Sequence, residues 1–166
     1  MKRMVYVIIA ATALVVIAAI MTGCFTIPAK KEKPPIEGIS LHQNHMDYNY
    51  CYSFYLRKDG EKVLFDADFA IDEEPYRIIL EGCEVDASYM DKLMELDEAN
   101  GISDYVSDYK ETKSPVEILD DTVVRTTVYF TDGTDKSANS GAYSGVLYEF
   151  FSGLALEYKA QFVETY

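Results

Sequence analysis

Apolar and polar positions alternate along much of the chain after residue 49, and the alternation marks strands. Tyr50 to Arg57 (YCYSFYLR) puts Tyr52, Phe54 and Leu56 on one side and Cys51, Ser53, Tyr55 and Arg57 on the other. A period of two is what a half-buried strand shows. Lys58-Asp59-Gly60-Glu61 reads as a hairpin turn. Lys62 to Ile71 alternates again, with Val63, Phe65, Ala67, Phe69 and Ile71 on one face and Lys62, Asp66 and Asp68 on the other. Asp72-Glu73-Glu74-Pro75 breaks the pattern, Tyr76 to Glu81 reads as a third strand, and Gly82 is expected to end it.

The period then changes. Asp86 to Leu96 has helical spacing, with Met90, Leu93 and Met94 on one side, and Asn100-Gly101 supplies a stop. Ser88 with Asp91, or Asp86 alone, can cap its start. Ile102 to Pro115 carries no readable period. Thr122 to Phe130 (TVVRTTVYF) is a strand with Val124, Thr126, Val128 and Phe130 on one face and Val123, Arg125, Thr127 and Tyr129 on the other. Asp132-Gly133 turns it into a short return strand, Asp135 to Asn139. A helix from Tyr143 to Tyr158 follows, with Tyr143, Val146, Leu147, Phe150, Phe151, Leu154 and Tyr158 at three- and four-residue steps. Hairpins favour antiparallel pairing. The expected fold is α+β, a mainly antiparallel sheet with two helices packed on one face.

The chain's beginning follows another rule. Lys2 and Arg3 precede an apolar run from Val5 to Met21, and Met21-Thr22-Gly23-Cys24 closes it. The run is near the lower limit for a helix that crosses the roughly 30 Å bilayer core. These residues resemble a bacterial lipoprotein signal ending in a lipobox. The resemblance implies that Cys24 is lipidated, that residues 1–23 are removed, and that the protein is held on the outer face of a cytoplasmic membrane. Met21 departs from the commoner Leu at its position. Several acyl chains on one cysteine make a stable anchor where one does not. Thr26 to Pro35 (TIPAKKEKPP) reads as an extended tether. Its Lys30, Lys31 and Lys33 can lie against anionic headgroups or stay solvated. The domain division is therefore 1–23 signal, 24–37 lipidated cysteine and tether, and 38–166 one extracytoplasmic α+β domain. Thr126 to Gly141, with Phe130, Gly133, Ser137 and Gly141 and an aromatic helix behind it, is similar to small uncharacterised lipoproteins of anaerobic low-GC Gram-positive bacteria. That resemblance implies source and localisation and no residue role.

Charge removes one class of partner. The formal net charge is −13, and the only charges in residues 1–23 are Lys2 and Arg3, so residues 24–166 are more acidic still. Such a surface repels a phosphate backbone, which excludes nucleic acid. Cys51 and Cys83 could pair outside the cytoplasm or serve as two small hydrophobes. Neither lies in a Cys-x-x-Cys spacing.

Candidate chemistry is sparse. His42 and His45 are the two histidines, and with Asp47 they could supply metal ligands, but the stretch lacks HExxH helix context. On a strand, His42 and His45 would point to opposite faces. Asp66 and Asp68 share a face and could hold a cation or work as an acid–base pair; the wet face of a hairpin accounts for them equally. No GxSxG, phosphate-binding glycine loop or dinucleotide fingerprint occurs, so no metal or cofactor is assigned and no catalytic residue is named. The fourteen tyrosines are the more suggestive feature. Tyrosine suits surfaces that are apolar on one side and wet on the other. If Tyr55 and Tyr129 occupy the sheet face opposite the helices, that face is a candidate binding surface. The reading is a membrane-anchored envelope lipoprotein that binds a small ligand or an envelope protein. The competing reading is a small hydrolase-like envelope enzyme, or a cation-binding domain, using His42 or His45 with Asp66 or Asp68.

Overall fold

The computed structural model describes residues 33–45, 51–70, 77–110 and 122–159. The chain divides into two units, residues 1–33 and 34–166, and the elements below belong to the second. The strands are β1 (Ile36–Asn44), β2 (Tyr52–Asp59), β3 (Lys62–Ala70), β4 (Arg77–Val85), β5 (Val123–Phe130) and β6 (Asp135–Asn139). The helices are α1 (Ser88–Asn100), α2 (Ile102–Asp108) and α3 (Ser144–Tyr158).

The strands form one antiparallel sheet in the order β4-β3-β2-β1-β5-β6. A four-strand meander runs outward from β1 to β4. The chain then passes through α1 and α2 and returns on the far side of β1, where β5 pairs with it. The α+β class and the mainly antiparallel sheet stand as expected, with one correction. Among the described residues three helices, not two, pack against the sheet. α2 lies where no period is readable, because a seven-residue helix needs only Ile102 and Val106 to face the core. It is secured by polar contacts instead. Asp97, buried near the end of α1, accepts bonds from both the N–H and the hydroxyl of Ser103. At the other end, the phenols of Tyr105 and Tyr109 donate to Ser140 Oγ and the Asn139 carbonyl.

The core lies between the sheet and the helices. Ile39, Leu41, Phe54, Leu56, Val63, Phe65, Ala67 and Phe69 enter it from the central strands, and Met90, Leu93, Leu147, Phe151 and Leu154 meet them from the helices. Val146, expected on the docking stripe of α3, is instead exposed. Asp86 takes the capping role at α1, its carboxylate accepting the Ser88 N–H.

β4 does not end at Gly82; it runs on to Val85. Phe65 pairs with Cys83 and Ala67 with Leu80, so Asp66 faces two residues of β4, a bulge. Gly82 adopts φ +57 there, the left-handed region that a glycine enters without steric cost. The Asp66 carboxylate accepts its N–H. The extra residue flips the alternation, so Ile78 and Leu80 before the bulge and Cys83 and Val85 after it all point into the core. A strict period of two therefore loses the strand at Gly82.

One inward group is mismatched. Thr126 is 3% exposed and its hydroxyl has no hydrogen-bond partner among the described residues. A buried hydroxyl without a partner costs about 1–3 kcal/mol. Thr126→Val is expected to raise stability by about 1 kcal/mol, read as a higher urea midpoint at unchanged slope. A lower midpoint would show that the hydroxyl finds a partner in solution.

Candidate functional site

The three described helices use one face of the sheet, and the other face carries a patterned set of side chains. Pairing places them in rows. One row runs Glu84, Leu64, Arg57, Gly38, Tyr129 and Asp135 across all six strands. The next holds Asp66, Tyr55, Ser40, Thr127 and Ser137, and the third holds Ile79, Asp68, Ser53, His42, Arg125 and Asn139.

Tyr55 and Tyr129 come together on this face. Their ring centroids are 4.8 Å apart with planes at 42°. They can meet because Gly38 on β1, between their strands, has no side chain. A Cβ at Gly38 would stand 3.1 Å from the Tyr55 ring and 2.7 Å from the Leu56 carbonyl oxygen. The rings cover a glycine in mid-sheet, a pairing that recovers packing the glycine lacks. Arg57 adds a third layer, its guanidinium 4.8 Å from the Tyr55 centroid. The Tyr55 phenol is held above its ordinary value, chiefly by burial and next by Tyr129 beside it. It therefore stays a neutral hydrogen-bond donor at neutral pH.

The two aspartates share the face, as expected, but each has an arginine. Asp66 pairs with Arg57, and Asp68 Oδ1 accepts from Arg77 Nε at 2.8 Å. Arg77 also donates to the Cys51 carbonyl at 2.9 Å. With both carboxylates bonded to guanidinium groups, they do not form a free acidic pair. His42 is exposed in the same row as Asp68, with Ser53 between them. His45 lies half-buried just past the end of β1, and Asp47 is outside the described residues. Among the described residues, no group of three His, Cys, Asp or Glu side chains could hold a metal ion.

Cys51 and Cys83 are not bridged to each other. Cys83 points into the core, where burial pushes its thiol above the ordinary value, and Cys51 stands just ahead of β2 in the alternation of the open face. Of the two alternatives left open for them, Cys83 takes that of a small buried hydrophobe.

Arg57 and Arg125 belong to this face as well, although the sequence gives neither a role. Their signal is parity, since each alternates in step with the tyrosine of its strand. Gly38 carries no such signal, because its role depends on which strands flank β1. Cys24 and residues 1–23 lie outside the described residues; among those described, no helix is long and apolar enough to cross a membrane. No protein-family model matches the chain, and neither a curated protein nor a solved structure matches it.

Proposed function

We propose that this chain is a lipid-anchored protein of the cell envelope, attached through Cys24 and facing outside the cytoplasm, whose folded domain binds a ligand through its open sheet face. The observation that carries the binding role is the Tyr55–Tyr129 pair over Gly38, on the face the helices leave uncovered. Aromatic side chains of this kind are enriched at recognition hot spots. The anchor rests on Lys2, Arg3, the apolar run and Met21-Thr22-Gly23-Cys24. A binding module is favoured over an enzyme because Asp66 and Asp68 are each bonded to an arginine.

Two measurements test the two halves. Expressed in a Gram-positive host, wild type should fractionate with membranes as an acylated chain beginning at Cys24, and Cys24→Ser should accumulate as the unprocessed precursor. A wild-type chain that keeps residues 1–23 and carries no lipid would sink the anchor. For the face, full-length protein in detergent is sedimented with isolated cell walls. Tyr129→Ala should lower the affinity more than tenfold, the scale of a hot-spot aromatic. Loss of sedimentation on replacing Lys92, exposed on α1 with its ammonium 4.1 Å from the Tyr89 ring centroid, with Tyr129→Ala unaffected, would move the site to the helices.

A further inference from the structure

The arginines of this chain are distributed unevenly. Beyond Arg3 there are three, Arg57, Arg77 and Arg125, and all three stand on the open sheet face. In a chain of net charge −13 this face concentrates the fixed guanidinium groups. Arg57 and Arg77 are occupied by Asp66 and Asp68. Arg125 is not. Its Nε donates to Asn139 Oδ1 at 2.8 Å, its side chain is exposed, and no carboxylate bonds it among the described residues. That contact leaves both terminal amines, whose end-on fork matches a carboxylate.

The surroundings of Arg125 are ordered. His42 and Ser53, both exposed, come next across β1 and β2 in one row. One row along lie Thr127, Ser40 and Ser137, with the Thr127 and Ser137 hydroxyls 2.9 Å apart. Beyond them are the tyrosines. From Arg125 to Tyr129 is four strand residues, about 13 Å at strand rise. The face thus presents an aromatic end, with Asp135 beside Tyr129, then the hydroxyls of Ser40 and Ser137 over the buried Thr127, and a cationic end at Arg125.

Resting on the binding role proposed above for this face, we propose that its ligand is a short acidic oligosaccharide, with a sugar ring against the tyrosine pair and a carboxylate on Arg125. The chemistry selects this class. A peptide strand binds a sheet by adding to an edge, where backbone groups are free. β1, β2 and β5 are interior strands whose backbone is already paired on both sides, so recognition here falls to side chains. A pyranose offers a C–H face for an aromatic ring and hydroxyls for Ser and Thr. The overall charge disfavours any long polyanion, so the ligand is short and meets Arg125 through one carboxylate.

The test uses full-length protein in detergent micelles and calorimetric titration with three probes: trigalacturonate, its methyl ester and pentaglutamate. Trigalacturonate should bind, and the ester should bind at least tenfold more weakly. Arg125→Gln should cost trigalacturonate at least tenfold while leaving the ester unchanged, and Tyr129→Ala should weaken both. Arg125→Lys, which keeps the charge and loses the fork, should fall between. Thermal unfolding of each variant checks that the domain is intact. Equal binding of acid and ester, both lost in Tyr129→Ala, overturns the acidic ligand and leaves the binding face standing. Pentaglutamate binding that needs Arg125 but not Tyr129 overturns the sugar. Binding of no probe, with Tyr129-dependent wall sedimentation intact, overturns this inference alone; loss of that sedimentation as well overturns the face.

Discussion

Phe54→Ala is expected to cost about 3–5 kcal/mol and to lower the melting temperature by roughly 10–20 °C. Phe54 lies on β2, 1% exposed, where the sheet meets α3. Its ring is 5.1 Å from Phe69, 5.6 Å from Phe151, 5.7 Å from Tyr148 and 6.4 Å from Phe65, centroid to centroid. It touches the rings of both β3 and α3, which also meet each other at Phe65–Phe151 and Phe69–Tyr148. Truncation removes the transfer energy of the ring and leaves a void that strands paired on both sides cannot close. A small domain is stable by about 5–15 kcal/mol, so this one change consumes a large part. Chemical denaturation of the variant beside Phe54→Leu is the check. Leucine refills much of the volume and should recover more than half of the loss. A penalty below about 1 kcal/mol for alanine would mean that the neighbouring rings collapse into the space.

That cluster is legible in part from the sequence. Alternation in β2 and β3 points Phe54, Phe65 and Phe69 the same way, and the helical stripe points Phe151 toward them. What period cannot give is order across the sheet. β1 is the clearest case. Ile39 and Leu41 are its only fully buried side chains, so the alternation through Ser40 and His42 is too short to mark a central strand, yet this strand lies at the centre. Its burial comes from neighbours contributed by distant parts of the chain, not from its own composition. The same applies to the candidate site. Parity alone puts Tyr55 and Tyr129 on the face away from the core. Their contact depends on β5 returning beside β1 and on a glycine at the crossing, two facts of long-range pairing. The arginine partners of Asp66 and Asp68 are local by contrast, each nine residues away on the next strand, and what alternation leaves out is the register that matches each carboxylate to its guanidinium.

Gly38→Ala carries the second large effect, and it joins stability to the site. The added Cβ would lie 2.7 Å from the Leu56 carbonyl oxygen and 3.0 Å from Arg57 Cβ. A flexible side chain could move aside, but the closest atom is backbone. Leu56 is held between Ile39 on β1 and Phe65 on β3, so its carbonyl can recede only if the sheet deforms. Overpacking of this kind costs about 1–3 kcal/mol, with a melting temperature lower by roughly 5–10 °C. The Tyr55 ring, 3.1 Å from the new methyl, has to shift against Tyr129 by a few tenths of an ångström. The chain has no tryptophan, so near-ultraviolet circular dichroism reports its tyrosines without interference, and the variant should change that signal while its far-ultraviolet spectrum stays native. Ser40→Ala, on the same face two residues along β1, should leave both spectra and the stability near wild type. A Gly38→Ala protein as stable as wild type, with an unchanged tyrosine signal, would show that β1 and β2 can part without disturbing the rings. The open face would then owe its shape to something other than this glycine. If the expected loss is seen, wall binding should fall in Gly38→Ala well below the temperature at which it unfolds, because the ring pair shifts while the rest of the sheet remains. That separation of binding from stability is what distinguishes a site built on Gly38 from a glycine that merely fits.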